Sequence, residues 1–207
     1  MKNSNSLRAP SIALACLLLA ACGGMPSKEP TVPPPGVAAV PREARVQFEQ
    51  ALDLMREKHY AEAETVLQAM TQTHPDLAGP HLNLGIVYLR LDRTAEAELS
   101  VRRALEINPG NSEAYNLLGL VHRAGGRFAE ARVDYEQALK LDPLFADVHL
   151  NLAILLDLYL GLPQAALQHY ERYQEIAGGE DKQVKLWITD LKQRLPAATP
   201  ADAGGGS

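Results

Sequence analysis

The chain has 207 residues and a formal net charge of −5, from 20 Lys and Arg against 25 Asp and Glu. That length supports a real core in one or two domains, and the mildly acidic balance lacks the basic excess of a nucleic-acid binder. Aromatic residues are only 5% while 30 Ala and 32 Leu carry the apolar weight, which favours packed helices over a β-sandwich, a disulfide-dense mini-domain or a disordered chain.

In chain order, Met1–Pro10 carries Lys2 and Arg8 and no acid, and Ile12 to Ala21 is an unbroken small-and-apolar run ending at Cys22. A positive start, a short apolar stretch and small residues before a cut predict a secretory signal peptide over residues 1–21. About ten apolar residues are too few to span a ~30 Å hydrocarbon core. Leu19-Ala20-Ala21-Cys22 resembles the lipobox of bacterial lipoproteins. The resemblance implies cleavage before Cys22, diacylation of its sulfur and N-acylation, so that several acyl chains anchor the protein. This covalent lipid is the single prosthetic group expected, with no other cofactor. On the residues alone, an ordinary signal peptide cut near Cys22 is the alternative. Cys16 falls in the removed part, so the mature chain keeps one Cys and no internal disulfide. In Gram-negative lipoproteins, Gly23 in place of Asp implies the outer membrane, with the protein expected to face the periplasm. Loss of Lys2 and Arg8 leaves 18 basic against 25 acidic residues.

Residues 22–42 read as the lipidated Cys and a tether, with Pro26, Pro30, Pro33, Pro34, Pro35 and Pro41 set among Gly, Ser and Ala. Such a stretch favours extended polyproline II at ~3.1 Å per residue, a spacer of up to roughly 60 Å. Residues 196–207 are a second Pro/Ala/Gly stretch, predicted to be a disordered tail.

Between these ends the chain repeats every 34 residues. Ala51, Gly85, Gly119 and Ala153 are so spaced, as are Ala63, Ala97 and Ala131, and Pro75, Pro109 and Pro143. A fixed period of this length marks a helix–turn–helix array. The third unit, with Tyr115, Leu118, Gly119, Gly126, Ala131, Tyr135, Ala138 and Pro143, resembles the tetratricopeptide repeat. The second fits through Leu84, Gly85, Tyr88, Ala97, Ala104 and Pro109. The first has Gln50 and Met70 at two family positions, and the fourth reads as one residue longer near Gly161. The resemblance implies an all-α fold, a right-handed α-solenoid of four repeats in a domain over 43–195. The repeats are expected at 44–77, 78–111, 112–145 and 146–179, closed by a capping helix over 181–195. Val184, Trp187, Ile188, Leu191 and Leu195 give that helix its apolar face.

The chemistry of catalysis is missing. His59, His74, His81, His122, His149 and His169 show no HExxH, Cys–His or i,i+4 spacing, so they read as packing or surface residues and no metal is expected. No GxSxG, Walker or Rossmann loop occurs. Glu62/Glu64 and Glu96/Glu98 read as solvated first turns, and the apolar Leu150–Leu162 stretch, broken by Asn151 and Asp157, as a core helix. No catalytic residue is assigned, and neither an enzyme, a small-molecule substrate nor nucleic acid is expected.

In the family that the repeats resemble, certain first-helix positions face a concave groove. Here these imply Leu52, Ile86, Leu120 and Ile154 as an apolar row, Asn83, Asn116 and Asn151 as amides, and Arg56, Arg90 and Arg123 toward one rim. The reading is a groove for a helix or extended segment of a protein partner in the envelope; packing of the array alone is the alternative. Lipobox, tether and array together resemble the pilotin-like lipoproteins of type IV pilus biogenesis, which implies a scaffold or assembly factor. Accessory lipoproteins of a tight-adherence pilus or polysaccharide export, and adaptors for peptidoglycan hydrolases, share that architecture.

Overall fold

The computed structural model describes residues 40–195. The expected signal peptide, Cys22, nearly all of the tether and the tail lie outside the described residues. Among the described residues there are nine helices and no strand: α1 (Arg42–Arg56), α2 (Tyr60–Thr73), α3 (Ala78–Arg90), α4 (Thr94–Ile107), α5 (Ser112–Ala124), α6 (Phe128–Leu141), α7 (Ala146–Leu158), α8 (Pro163–Ile176) and α9 (Lys182–Arg194). Each odd helix from α1 to α7 packs on the even helix after it, each even helix on the next odd one, and α9 closes on α8. The all-α repeat fold expected from the 34-residue period is the one observed.

Small residues set the distance between paired helices. Ala63, Ala97, Ala131 and Ala166 are fully buried, one in each even helix. Opposite them stand Ala51, Gly85, Gly119 and Ala153. A Cβ on Gly85 would lie 2.5 Å from Val101 Cγ2, and one on Gly119 would lie 2.5 Å from the Tyr135 ring. The backbones therefore approach to where only hydrogen fits at those two positions, and Val101 and Tyr135 fill the space a side chain would take.

The turns inside the repeats share one design. His59 N donates to Leu54 O, Arg93 N to Tyr88 O and Arg127 N to His122 O, each across five residues. In the fourth repeat Leu162 N donates to Leu156 O, across six. The residue with positive φ is Lys58, Asp92, Gly126 and Gly161 in turn. A one-residue insertion in the last turn is thus absorbed without loss of the hydrogen bond that closes it.

At the far end, Val184 and Leu191 are buried, and Trp187 sits half-buried with its ring 5.5 Å from that of Tyr170. Asp181 caps α9 by accepting from Gln183 N and Val184 N, while Gln174 Nε2 donates to Asp181 O at 2.6 Å. This helix covers the apolar face that the fourth repeat leaves open. Among the described residues no helix is long and apolar enough to cross a membrane.

Candidate functional site

Along α3 and α5, residues three and four apart form a stripe on each helix, rooted by Leu82 and Leu117 against Val101 and Ala104 of α4. Leu82, Ile86, Leu89 and Arg90 come from α3, and Glu113, Asn116, Leu117 and Leu120 from α5. With Phe145 and Asp147 they enclose a cleft of about 590 Å³. A second cleft of about 520 Å³ shares Leu89 and Leu120 and continues over Arg123, Ala124, Gly126, Phe128 and Tyr159. The rings of Phe128 and Tyr159 stack at 4.5 Å and wall that end. Leu82 and Leu117 are buried in the floor, whereas Ile86 and Leu120 keep part of their surface exposed.

Of the residues expected to line a groove, Ile86, Arg90, Asn116, Leu120 and Arg123 come together in these clefts. Asn151 lies beside them, its Nδ2 donating to Asn116 Oδ1 at 3.0 Å. The other four stand apart from these two clefts. Asn83 Nδ2 donates to Gly79 O within its own helix, so that amide already has a partner. Arg56 pairs with Asp53, Leu52 is half-buried on α1, and Ile154 packs against the core of the last two repeats. Leu89, Glu113, Phe145, Asp147, Phe128 and Tyr159 line the clefts without having been singled out in the sequence. Glu113 and Asp147 occupy the same helical register, the second residue of α5 and of α7.

The turns between paired helices carry a polar seam. Arg93 Nη1 donates to both oxygens of Glu64 at 2.9 Å, and its guanidinium lies 4.4 Å from the centroid of the Tyr88 ring. One repeat later Arg127 grips Glu98, and His122 replaces Tyr88. Glu64 and Glu98 are only 17% and 19% exposed, so the expectation of solvated glutamates fails for these two. The reason is that each is covered by an Arg from the next repeat. His122, expected as packing or surface, is buried with Nδ1 2.5 Å from Asp134 Oδ2 and Nε2 3.4 Å from Glu98 Oε1. Arg127 foremost, then Arg102 and His122, hold the Glu98 carboxyl down at about 2, while burial pushes Asp134 up against the pull of His122.

A third polar contact joins α7 to α8. His149 Nε2–H donates to Pro143 O at 3.2 Å, which leaves its Nδ1 to accept from His169 Nδ1 at 2.9 Å. Both imidazoles are thereby neutral, and burial foremost lowers the affinity of His169 for a proton to a pKa of about 4. Among the described residues no three His, Cys, Asp or Glu side chains group as metal ligands.

Tetratricopeptide-repeat family models match residues 54–121 and 112–145. No curated protein sequence matches the chain significantly. Among solved structures, pilF of Pseudomonas aeruginosa is 23% identical with a TM-score of 0.67, over 73% of this chain and 70% of that one. TTC0263 of Thermus thermophilus, a thermophilic tetratricopeptide-repeat protein, is 20% identical with a TM-score of 0.65, over 74% and 83%. The first repeat domain of Spaghetti (RPAP3), bound to the HSP90 peptide SRMEEVD, is 24% identical with a TM-score of 0.55, over 59% and 97%. The likeness lies in the fold, and the two matched segments identify tetratricopeptide repeats within residues 54–145 of this chain.

Proposed function

We propose that the chain is a lipid-anchored scaffold or assembly factor of the bacterial envelope, which holds a segment of a protein partner in the groove over α3 and α5 and serves type IV pilus biogenesis. The observation that carries the binding role is the pair of joined clefts, with Ile86 and Leu120 partly exposed between Arg and carboxylate rims. Groups so arranged suit an apolar segment with polar ends, not a small substrate, and no constellation of acid, base and nucleophile accompanies them. A structural neighbour of the same fold holds a peptide, which supports the same use here.

The envelope part of the reading rests on Leu19–Cys22, Gly23 and the Pro-rich stretch after them, which supply anchor, destination and spacer. The pilus part rests on the resemblance of that whole arrangement to pilotin-like lipoproteins, and the fold-level likeness to pilF agrees with it. The test is a photo-crosslinker at position 120 of the full chain in living cells, followed by mass spectrometry. A captured envelope protein that is lost in Ile86→Asp/Leu120→Asp, with helicity unchanged, is the expected result. An identical set of captured proteins in the double variant overturns the groove. Cys22→Ser is expected to release the chain from the membrane fraction, and a chain that stays bound overturns the anchor.

A further inference from the structure

The groove has a charge order as well as an apolar floor. Glu113 and Asp147 stand in the first turns of α5 and α7, and Arg90 and Arg123 in the last turns of α3 and α5. Along α5, Glu113 and Arg123 are ten residues apart, about 15 Å at the helical rise. None of the four charges has an ion-pair partner among the described residues, while Glu64, Arg93, Glu98 and Arg127 of the polar seam are all paired. The groove therefore presents two unpaired carboxylates at one end and two unpaired guanidiniums at the other.

Helix dipoles favour acids in a first turn and bases in a last turn, and that rule binds a partner helix as much as α3 and α5. A partner helix with acids first and bases last meets the opposite charge at both rims in one orientation only, antiparallel to α3 and α5. The acidic half of that arrangement recurs among the chain's own helices, and α6 adds Lys140 in its last turn. Both α4 and α6 run back along α3 and α5 with Glu96 and Glu130 in their first turns. We infer that, granted the groove reading above, the occupant is an amphipathic helix about three turns long, seated antiparallel to α3 and α5, its acidic N-terminal end on Arg90 and Arg123 and its basic C-terminal end on Glu113 and Asp147. The apolar stripe of such a helix lies over Ile86 and Leu120.

Two synthetic peptides of one composition test this against the full chain by fluorescence anisotropy. Both carry the same Leu stripe at helical spacing; one has Glu-Glu first and Lys-Lys last, the other the reverse. The acid-first peptide is expected to bind at least tenfold more tightly in low salt, with the preference fading as salt rises. The preference is expected to invert in Arg90→Glu/Arg123→Glu/Glu113→Lys/Asp147→Lys, whose far-UV spectrum reports whether it folds. Should that variant not fold, Arg123→Glu alone is expected to reduce the preference. Equal binding of the two peptides, no binding of either, or a preference that survives the charge changes overturns the inference. Crosslinking from position 120 distinguishes these failures, since a captured partner leaves the groove reading standing without the helix.

Discussion

Arg93 chelates Glu64 across the boundary between the first and second repeats, and Arg127 repeats the act on Glu98 at the next boundary, with both partners displaced by 34 residues. In the fourth repeat the series stops, because Gly161 and Leu162 occupy the turn where the Arg would be. Repeats one to three are thus joined by charge as well as by apolar packing, and the fourth by packing alone on that side. A carboxylate sheltered by a guanidinium from a neighbouring unit links the repeats more strongly than an exposed pair, whose net worth is small.

Glu98 makes this measurable. Its carboxyl titrates near 2 in the folded chain against 4.5 for an unperturbed group, so the folded state favours the charged form. The stabilisation is complete above about pH 4.5 and is lost as pH falls toward 2. Glu98→Gln is expected to lower stability by about 1–3 kcal/mol at pH 7, the range for a charge-assisted contact left unpaired. In urea titrations at pH 7, 4 and 3 the gap between wild type and variant is expected to narrow with acid. A gap that stays constant contradicts the assignment.

Gly119 is where the two helices of the third repeat come closest. Gly119→Ala gains about 1 kcal/mol in helix propensity but drives a Cβ to 2.5 Å from the Tyr135 ring, a fully buried side chain. Overpacking of this kind costs about 1–3 kcal/mol, so the net change is expected to be destabilising by about 1 kcal/mol. Denaturant unfolding gives the sign directly. A stabilised variant would mean that α5 and α6 separate freely.

Tyr135 also has a buried hydroxyl with no hydrogen-bond partner among the described residues, and burial pushes its pKa up to about 12. Tyr135→Phe keeps the ring that fills the space beside Gly119 and removes an unsatisfied oxygen. The variant is expected to match or exceed wild type by up to about 1 kcal/mol. A clear loss of thermal stability would reveal a partner for that hydroxyl.

Lys58 and Asp92 hold the left-handed turn position that Gly126 and Gly161 fill elsewhere, at φ 63° and 58°. A side chain there costs about 1–2 kcal/mol, and Gly gives back part of the gain through its freer unfolded chain. Lys58→Gly is expected to stabilise by about 0.5–1 kcal/mol, and Asp92→Gly by less, since Asp tolerates that region better than Lys. Midpoints of urea unfolding decide it.

The repeat is visible in the sequence because small residues and prolines recur in one register, and burial of Ala63, Ala97 and Ala131 follows from that register alone. Withdrawal of Glu64 and Glu98 from solvent is not visible there, because the helix each belongs to carries no sign of it. The covering Arg stands 29 residues on, and both partners recur at 34. The cleft draws on Ile86 and Leu120 because α3 and α5 each have a neighbouring odd helix on both sides, whereas α1 and α7 end the row. Contact between His149 and His169 was not legible at all. It crosses 20 residues and the inserted turn, where the repeat register no longer places α8 on α7.

That histidine pair sets a pH limit on the fourth repeat. His169 titrates near 4 against 6.5 unperturbed, with burial the main cause, His149 and Arg132 on the same side and Glu136 opposing. His149 is lowered as well, by burial foremost, with Arg172 adding to it and the Pro143 carbonyl working against it. Both groups are folded in the neutral form, so stability is full above about pH 6.5. It declines as pH falls toward 4, because the unfolded chain takes up protons that the folded one refuses. For His169 the loss between pH 7.5 and pH 4.5 is expected to be on the order of 2 kcal/mol. His169→Gln removes the titration while keeping a donor for His149 Nδ1, so its stability is expected to change less over the same interval. The difference between the two proteins isolates His169 from Glu98, which loses its stabilisation only at lower pH, and from Asp134. Parallel urea titrations at pH 7.5, 6.0 and 4.5 provide it, and identical slopes for the two proteins would show that His169 is protonated as readily folded as unfolded.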